Sequence, residues 1–217
     1  MKYFLLSLII FSFSFSKKLP NDVRWVVKSK EYKSLCNQTY NIAEMQLDAI
    51  LKKKKRTGKL AVVMDLDETV LDNSLYQIEL NQKNESFNMK SWAEWVLREE
   101  AQLVPGAKRY IKKLRKNDIQ IIFISNRMHE RLKATKSNMK KLDVFSKDDI
   151  YLLRKNKEDK KTVRRNEIYS STGRMKKYKK FNVIQYFGDA IGDFPNLEYS
   201  EFGTSQFIFP NPMYGKW

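Results

Sequence analysis

The sequence predicts an α/β fold built on a parallel sheet, and three observations carry the prediction. Short apolar runs recur at 60–64, 119–124, 150–153 and 182–187. Runs apolar throughout and too short for a helix suit strands covered on both faces. Segments of helical periodicity separate them, as in βαβ units. Polar residues follow the runs: Asp65 and Asp67 after the first, Ser125, Asn126 and Arg127 after the second, Asp189 and Asp193 after the fourth. Carboxyl ends of parallel strands are where open α/β sheets place their ligand crevices.

The stretch LAVVMDLDETVLDNS at 60–74 organises the rest. If the strand continues, two acids two residues apart point the same way, and Leu66 between them turns into the core. Acids at the end of an apolar strand are costly unless a cation or a reaction uses them. The plain alternative is an acidic turn. Asp189 and Asp193, four residues apart, fall on one side of a turn, and Gly188 and Gly192 allow close backbone approach.

The remaining elements follow in order. Helices are expected over 22–51, with a break near 29–31, because Trp25, Val26, Tyr32, Leu35, Tyr40, Ala43 and Leu47 recur at helical spacing. KKKKR at 52–56 reads as a solvated linker, with a nucleic-acid patch as the sharper alternative. Residues 71–98 form a helical insertion over the crevice. Trp92, Trp95 and Val96 share a face there, either as packing or, for Trp92, as a platform on which a base stacks. Pro105 and Gly106 introduce a helix over 107–116, and a basic helix follows at 131–142. Ser125 reads equally as a phosphate ligand or a helix N-cap. His129, the sole histidine, reads as a surface residue. The basic stretch 154–165 reads mostly as a solvated face, FIF at 207–209 as an edge strand, and 211–217 as a terminal loop.

Length and composition bound the function. A chain of 217 residues suits one domain with an elaboration, and 42% hydrophobic residues exclude global disorder. The net charge of +17 favours anionic partners: phosphorylated substrates, nucleic acid or an acidic membrane surface. Residues 1–16 read as a signal peptide, with Lys2 before a short apolar run and Ser14 and Ser16 as a cleavage pattern; a retained anchor is the alternative. The single cysteine, Cys36, excludes an internal disulfide and reads as a small buried residue.

DLDET, then a strand ending at Ser125, then Lys161, then GDAIGD at 188–193 resembles the haloacid dehalogenase (HAD) superfamily. SWAEWV, LVPGA at 103–107 and the terminal NPMYGKW narrow the resemblance to the class C acid phosphatases, the secreted or lipoprotein 5'-nucleotidase-like branch. The resemblance implies a HAD-like Rossmannoid three-layer core at 58–217, a helical cap insertion at about 73–104, and an N-terminal helical segment at 17–57. It implies Asp65 as nucleophile and Asp67 as acid–base. Mg²⁺ is then held by Asp65, the Asp67 carbonyl, Asp189 and Asp193, and the phosphoryl group by Ser125, Asn126 and Lys161. Lys157 and Lys160 are alternative registers for that lysine. Trp92 and Tyr214 become a nucleobase clamp. The family's lipoproteins carry a cysteine after the signal peptide; this chain has none there, so export without a lipid anchor is expected. Further expectations are a homodimer, peripheral membrane association, no specific nucleic-acid partner, and an acidic to neutral optimum because acids crowd Asp67. A broad phosphatase without base preference and a non-enzymatic basic binding module are the alternatives.

Overall fold

The computed structural model describes residues 18–53 and 58–215. The signal-peptide segment and residues 54–56 of the KKKKR run lie outside the described residues. Two helices, α1 (Asn21–Lys28) and α2 (Lys30–Lys52), come first. Ser29 breaks them in extended conformation, and its side chain caps α2 by accepting from the Tyr32 N–H at 3.0 Å. Strand β1 (Lys59–Met64) precedes a two-residue ribbon strand β2 (Leu71–Asp72), and α3 (Ser74–Lys83) and α4 (Met89–Arg98) form the insertion. Strand β3 (Gln102–Leu103) returns antiparallel to β2, closing the insertion's neck, a ribbon the sequence reading did not include. Then follow α5 (Ala107–Lys116), β4 (Gln120–Met128), α6 (Leu132–Lys141), β5 (Ile150–Arg154), α7 (Lys161–Ser170), β6 (Phe181–Gly188) and β7 (Gln206–Ile208).

The five long strands form one parallel sheet in the order β5-β4-β1-β6-β7. The chain leaves β1 for one side of the sheet and later returns to its other side. The strand order therefore reverses at β1, and the crevice of such a sheet opens at that strand's carboxyl end. Alternation along β1 supplies both layers: Val62 and Met64 join the core under α2 and α5, and Ala61 and Val63 join the core under α7.

Tyr40 docks α2 onto the sheet. Its ring lies 5.8 Å from Phe187, 5.4 Å from Tyr110 and 4.8 Å from Phe209. Its hydroxyl donates to the Thr69 carbonyl at 2.7 Å, just beyond the acidic turn. Gln185 adds a second buried tie, donating to the Ala43 carbonyl at 2.9 Å. Gly106 is required beside Tyr40: its φ is +93°, and a Cβ there would meet Tyr40 Cδ2 at 2.8 Å.

One reading is corrected and one refined. Strand β4 runs to Met128, so Ser125, Asn126 and Arg127 sit within its end and Ser125 is no helix N-cap. The stretch 154–165 is mostly exposed, as read, except that its end enters α7, where Arg164 and Arg165 are buried. A third arginine, Arg174, pairs with both Asp159 oxygens at 2.9 Å and both Glu167 oxygens at 2.9 Å.

Two predictions come from this packing. Tyr40→Phe loses about 1 kcal/mol of stability with its buried hydrogen bond, and Tyr40→Ala loses about 3–5 kcal/mol in chemical denaturation. Burial pushes Asp159 and Glu167 up, but the bonds from Arg174 outweigh it and hold both below the ordinary carboxylate range. Their contribution is present above about pH 4 and lost as pH falls through the lower folded-state values. The gap in melting temperature between wild type and Arg174→Met is therefore expected to be widest near neutrality and to close in acid.

Candidate active site

Asp65 follows β1 directly, and its N–H still donates to the Phe187 carbonyl of β6 at 2.9 Å. This backbone anchor fixes a carboxylate that is itself buried. Lys161 Nζ lies 2.8 Å from Asp65 Oδ1, an ion pair, yet that oxygen receives no well-formed hydrogen bond. The same ammonium contacts Asp193 Oδ1. Asp189 completes the group: one oxygen from each of Asp65, Asp189 and Asp193 lies within 4.8 Å of the others.

Position 188 must be glycine for this group to form, since a Cβ there would collide with the Asp193 side chain. Asp193 Oδ2 in turn accepts from the Ala190 N–H at 3.1 Å, which folds the loop back on itself. Asn211, from the terminal loop, donates to Asp189 Oδ2 at 2.8 Å.

The electrostatics follow from burial. Burial pushes the Asp65 carboxyl well above its ordinary range; Lys161 opposes this, and Asp193, Asp189 and Asp67 add to it. Asp189 is pushed up to about 6 by burial and by Asp193, with Asn211 opposing. Burial works against the Lys161 charge, but Asp65 and Asp193 outweigh it and hold the ammonium above its usual range. Three carboxylates facing one ammonium leave two negative charges uncompensated when all are ionised. An oxygen-only donor set of that charge, with one buried oxygen lacking a hydrogen bond, fits a hard divalent cation.

Asp67 stands between Asp65 and Glu68 in the chain, and its carboxylate is met by donors from other elements. Its Oδ1 accepts from Arg127 Nε at 2.9 Å and Asn73 Nδ2 at 3.0 Å, and the Ser125 hydroxyl lies 3.4 Å from Oδ2.

Helix α7 supplies cations to three places. Lys161 begins it and meets the acids. Arg164, fully buried, donates to the carbonyls of Ser125 at 2.6 Å, Leu152 at 3.0 Å and Asp159 at 3.1 Å, and to Asn126 Oδ1 at 2.8 Å. Arg165 donates to the Gly192 carbonyl at 2.9 Å, holding the loop of Asp189 and Asp193. Asn126 is exposed and uses its side-chain oxygen on Arg164, while Ser125 is fully buried.

Trp92 is half-buried, edge-on to Tyr76 at 5.3 Å and beside Phe87. Trp95 is buried, and its Nε1–H donates to Asn73 Oδ1 at 2.9 Å. Tyr214 is 38% exposed, and its hydroxyl donates to Glu68 Oε2. Glu68 also accepts from the Asn73 N–H at 2.9 Å. Burial pushes it well above the ordinary range, and Asp67 adds to that.

The sequence reading gave no role to Glu68, Asn73, Arg127, Arg164 or Arg165. Arg127 stood after the second apolar run and Glu68 in DLDET, but nothing in spacing separates a buried arginine from an exposed one.

A family model described as HAD superfamily, subfamily IIIB (acid phosphatase) matches residues 11–217. The class C acid phosphatase from Bacillus anthracis is similar in structure, with a TM-score of 0.77 and 30% identity over 89% of this chain and 84% of that one. Its tungstate-bound structure matches equally. Two proteins of Glycine max, a stem 28 kDa glycoprotein and a stem 31 kDa glycoprotein, are 29% and 27% identical over 154 residues. That is 70% of this chain and 58% of theirs, so the chain spans less than two thirds of these plant relatives. The match over nearly the whole chain agrees with the parallel sheet and its carboxylate group: the chain belongs to the HAD superfamily, subfamily IIIB, the acid phosphatases.

Proposed function

We propose that this chain hydrolyses phosphate monoesters through an aspartyl-phosphate on Asp65, with Mg²⁺ as the divalent cation and nucleoside 5'-monophosphates as preferred substrates. The observation that carries the proposal is the uncompensated charge around Asp65, Asp189 and Asp193 facing Lys161. When bound by those carboxylates, with the Asp67 carbonyl as a further ligand, Mg²⁺ supplies positive charge that lets a carboxylate approach a phosphate dianion.

In the first step an Asp65 oxygen forms a bond to phosphorus as the ester P–O bond breaks. The leaving alkoxide takes the proton from Asp67. In the second step Asp67, now ionised, takes a proton from water, whose oxygen attacks phosphorus and releases phosphate and Asp65. Lys161 and the Ser125 hydroxyl hold the phosphoryl oxygens, with Asn126 at the same strand end. Asp65 must be ionised to attack, and burial alone disfavours that state, so the neighbouring cations carry the burden. The tungstate bound by the Bacillus anthracis relative, a tetrahedral oxyanion shaped like phosphate, supports the phosphate reading.

Nucleobase preference rests on Trp92 and Tyr214, both tied to the Glu68–Asn73–Arg127 network beside the cleft. Tyr214→Ala tests it. The expected result is a rise in KM for a nucleoside 5'-monophosphate with little change for an aryl phosphate; an equal change on both favours the broad phosphatase. Export after cleavage of residues 1–16, without a lipid anchor, and homodimer formation belong to the same proposal. N-terminal sequencing of the exported protein and sedimentation test them. Among the described residues, no helix is long and apolar enough to cross a membrane.

Three further outcomes are expected. Asp65→Asn abolishes phosphate release while the protein stays folded, because the amide removes both nucleophile and charge. Mg²⁺ raises the melting temperature of the wild type in proportion to log concentration, as a ligand of the folded state does. Gly188→Ala, which displaces Asp193, weakens that response at least about tenfold in apparent affinity. An unchanged melting temperature in saturating Mg²⁺ would remove the metal assignment.

A further inference from the structure

The two oxygens of Asp67 sit in different surroundings. Oδ1 takes the Arg127 Nε–H and an Asn73 amide N–H, and Arg127 Nη2 lies 2.7 Å from it. Oδ2 meets the Ser125 hydroxyl at the longer distance of 3.4 Å. An oxygen already taking several N–H donors is the poorer place for a proton. The anchoring of Oδ1 therefore fixes the carboxyl and leaves Oδ2, beside Ser125, as the less engaged oxygen.

Arg127 is 1% exposed, and its surroundings come largely from the insertion and its neck. Its Nη2–H donates to Asn73 Oδ1 at 3.2 Å, and its Nη1–H reaches Thr135 Oγ1 at 3.5 Å. The guanidinium sits 5.7 Å from the Trp92 ring centre. Asn73 Oδ1 also accepts from Trp95 Nε1 at 2.9 Å. A continuous series of contacts thus runs from both tryptophans of α4, directly or through Asn73, to Arg127 and then to Asp67.

We infer that Arg127 is a positioning residue for Asp67, set in place by Trp92 and Trp95, so that the α4 insertion governs proton delivery to the leaving group. The inference rests on the general-acid role given to Asp67 above. It assigns the tryptophan pair a task distinct from packing and from base stacking. Lysine cannot replace Arg127, because one ammonium cannot present the Nε and Nη2 donors together.

Proton delivery matters in proportion to how poorly the leaving group carries negative charge. kcat/KM on p-nitrophenyl phosphate, whose phenolate leaves unaided, is to be compared with kcat/KM on glycerol 3-phosphate, whose alkoxide needs the proton, for wild type, Arg127→Lys and Trp95→Phe with Mg²⁺ supplied. General acid–base catalysis contributes about 10²–10⁴-fold, so Arg127→Lys is expected to lose about 100-fold on the alkyl ester and about threefold or less on the aryl ester. Trp95→Phe, which removes the indole N–H together with part of the buried ring, is expected to show the same pattern at about tenfold. If Arg127→Lys does not fold, Trp95→Phe decides alone. Equal losses on both esters in a folded variant overturn the inference, since a purely structural defect does not distinguish leaving groups. Wild type inactive on both esters removes the phosphatase reading itself, a separate outcome.

Discussion

Negative charge held together out of water is the constraint on which the structure depends. Asp65 and Asp193 are buried, Asp189 is partly so, and their oxygens approach within 4.8 Å, while Lys161 supplies one positive charge. Carboxylates so placed repel one another and lack water, which is why burial and neighbouring acids both push Asp65 up. A fold tolerates such a cluster only when its backbone fixes it firmly. Here that work falls to the Asp65 bond to β6, the glycine at 188 and the loop closure by Asp193.

The sheet topology explains why these groups meet. β1 is the strand from which the chain departs to one side and to which it returns on the other, so its carboxyl end receives residues from β4, β6 and α7. Helix α7 then secures the arrangement: Arg164 joins the ends of β4 and β5, and Arg165 holds the acidic loop after β6. Burial pulls Arg164 down to about 10, which still leaves it charged at neutral pH. The insertion adds a separate layer, in which Trp95, Asn73 and Arg127 support the second aspartate from the opposite side.

Much of this was legible in the sequence. The apolar runs located four of the sheet's five strands to within a few residues, because a doubly covered strand must be largely apolar. The break at Ser29 and the helix after Gly106 were legible because capping chemistry and a left-handed glycine leave local signatures. The convergence of Asp65, Lys161, Asp189 and Asp193 followed from the motif order. The roles of the arginines did not. Arg164 and Arg165 stand in a lysine-rich run, and local composition reports neither the carbonyls that bury them nor the strand ends they join. The surroundings of Asp67 were read only in part for the same reason: nearby acids are visible in DLDET, whereas Arg127 is supplied from a strand 60 residues away. The β2–β3 ribbon was missed because two-residue strands have no periodicity to read.

The central claim is that Asp65 takes the phosphoryl group and Asp67 manages the protons. The most direct measurement is to quench turnover of a ³²P-labelled phosphate ester in acid, for wild type and Asp67→Asn, and to count the label bound to protein. Borohydride reduction, which expels the phosphate and leaves an alcohol, then locates by peptide mass the residue that carried it. The account predicts label on Asp65 in both proteins. Label recovered on another side chain, or turnover with no label on Asp65 in either protein, would contradict it.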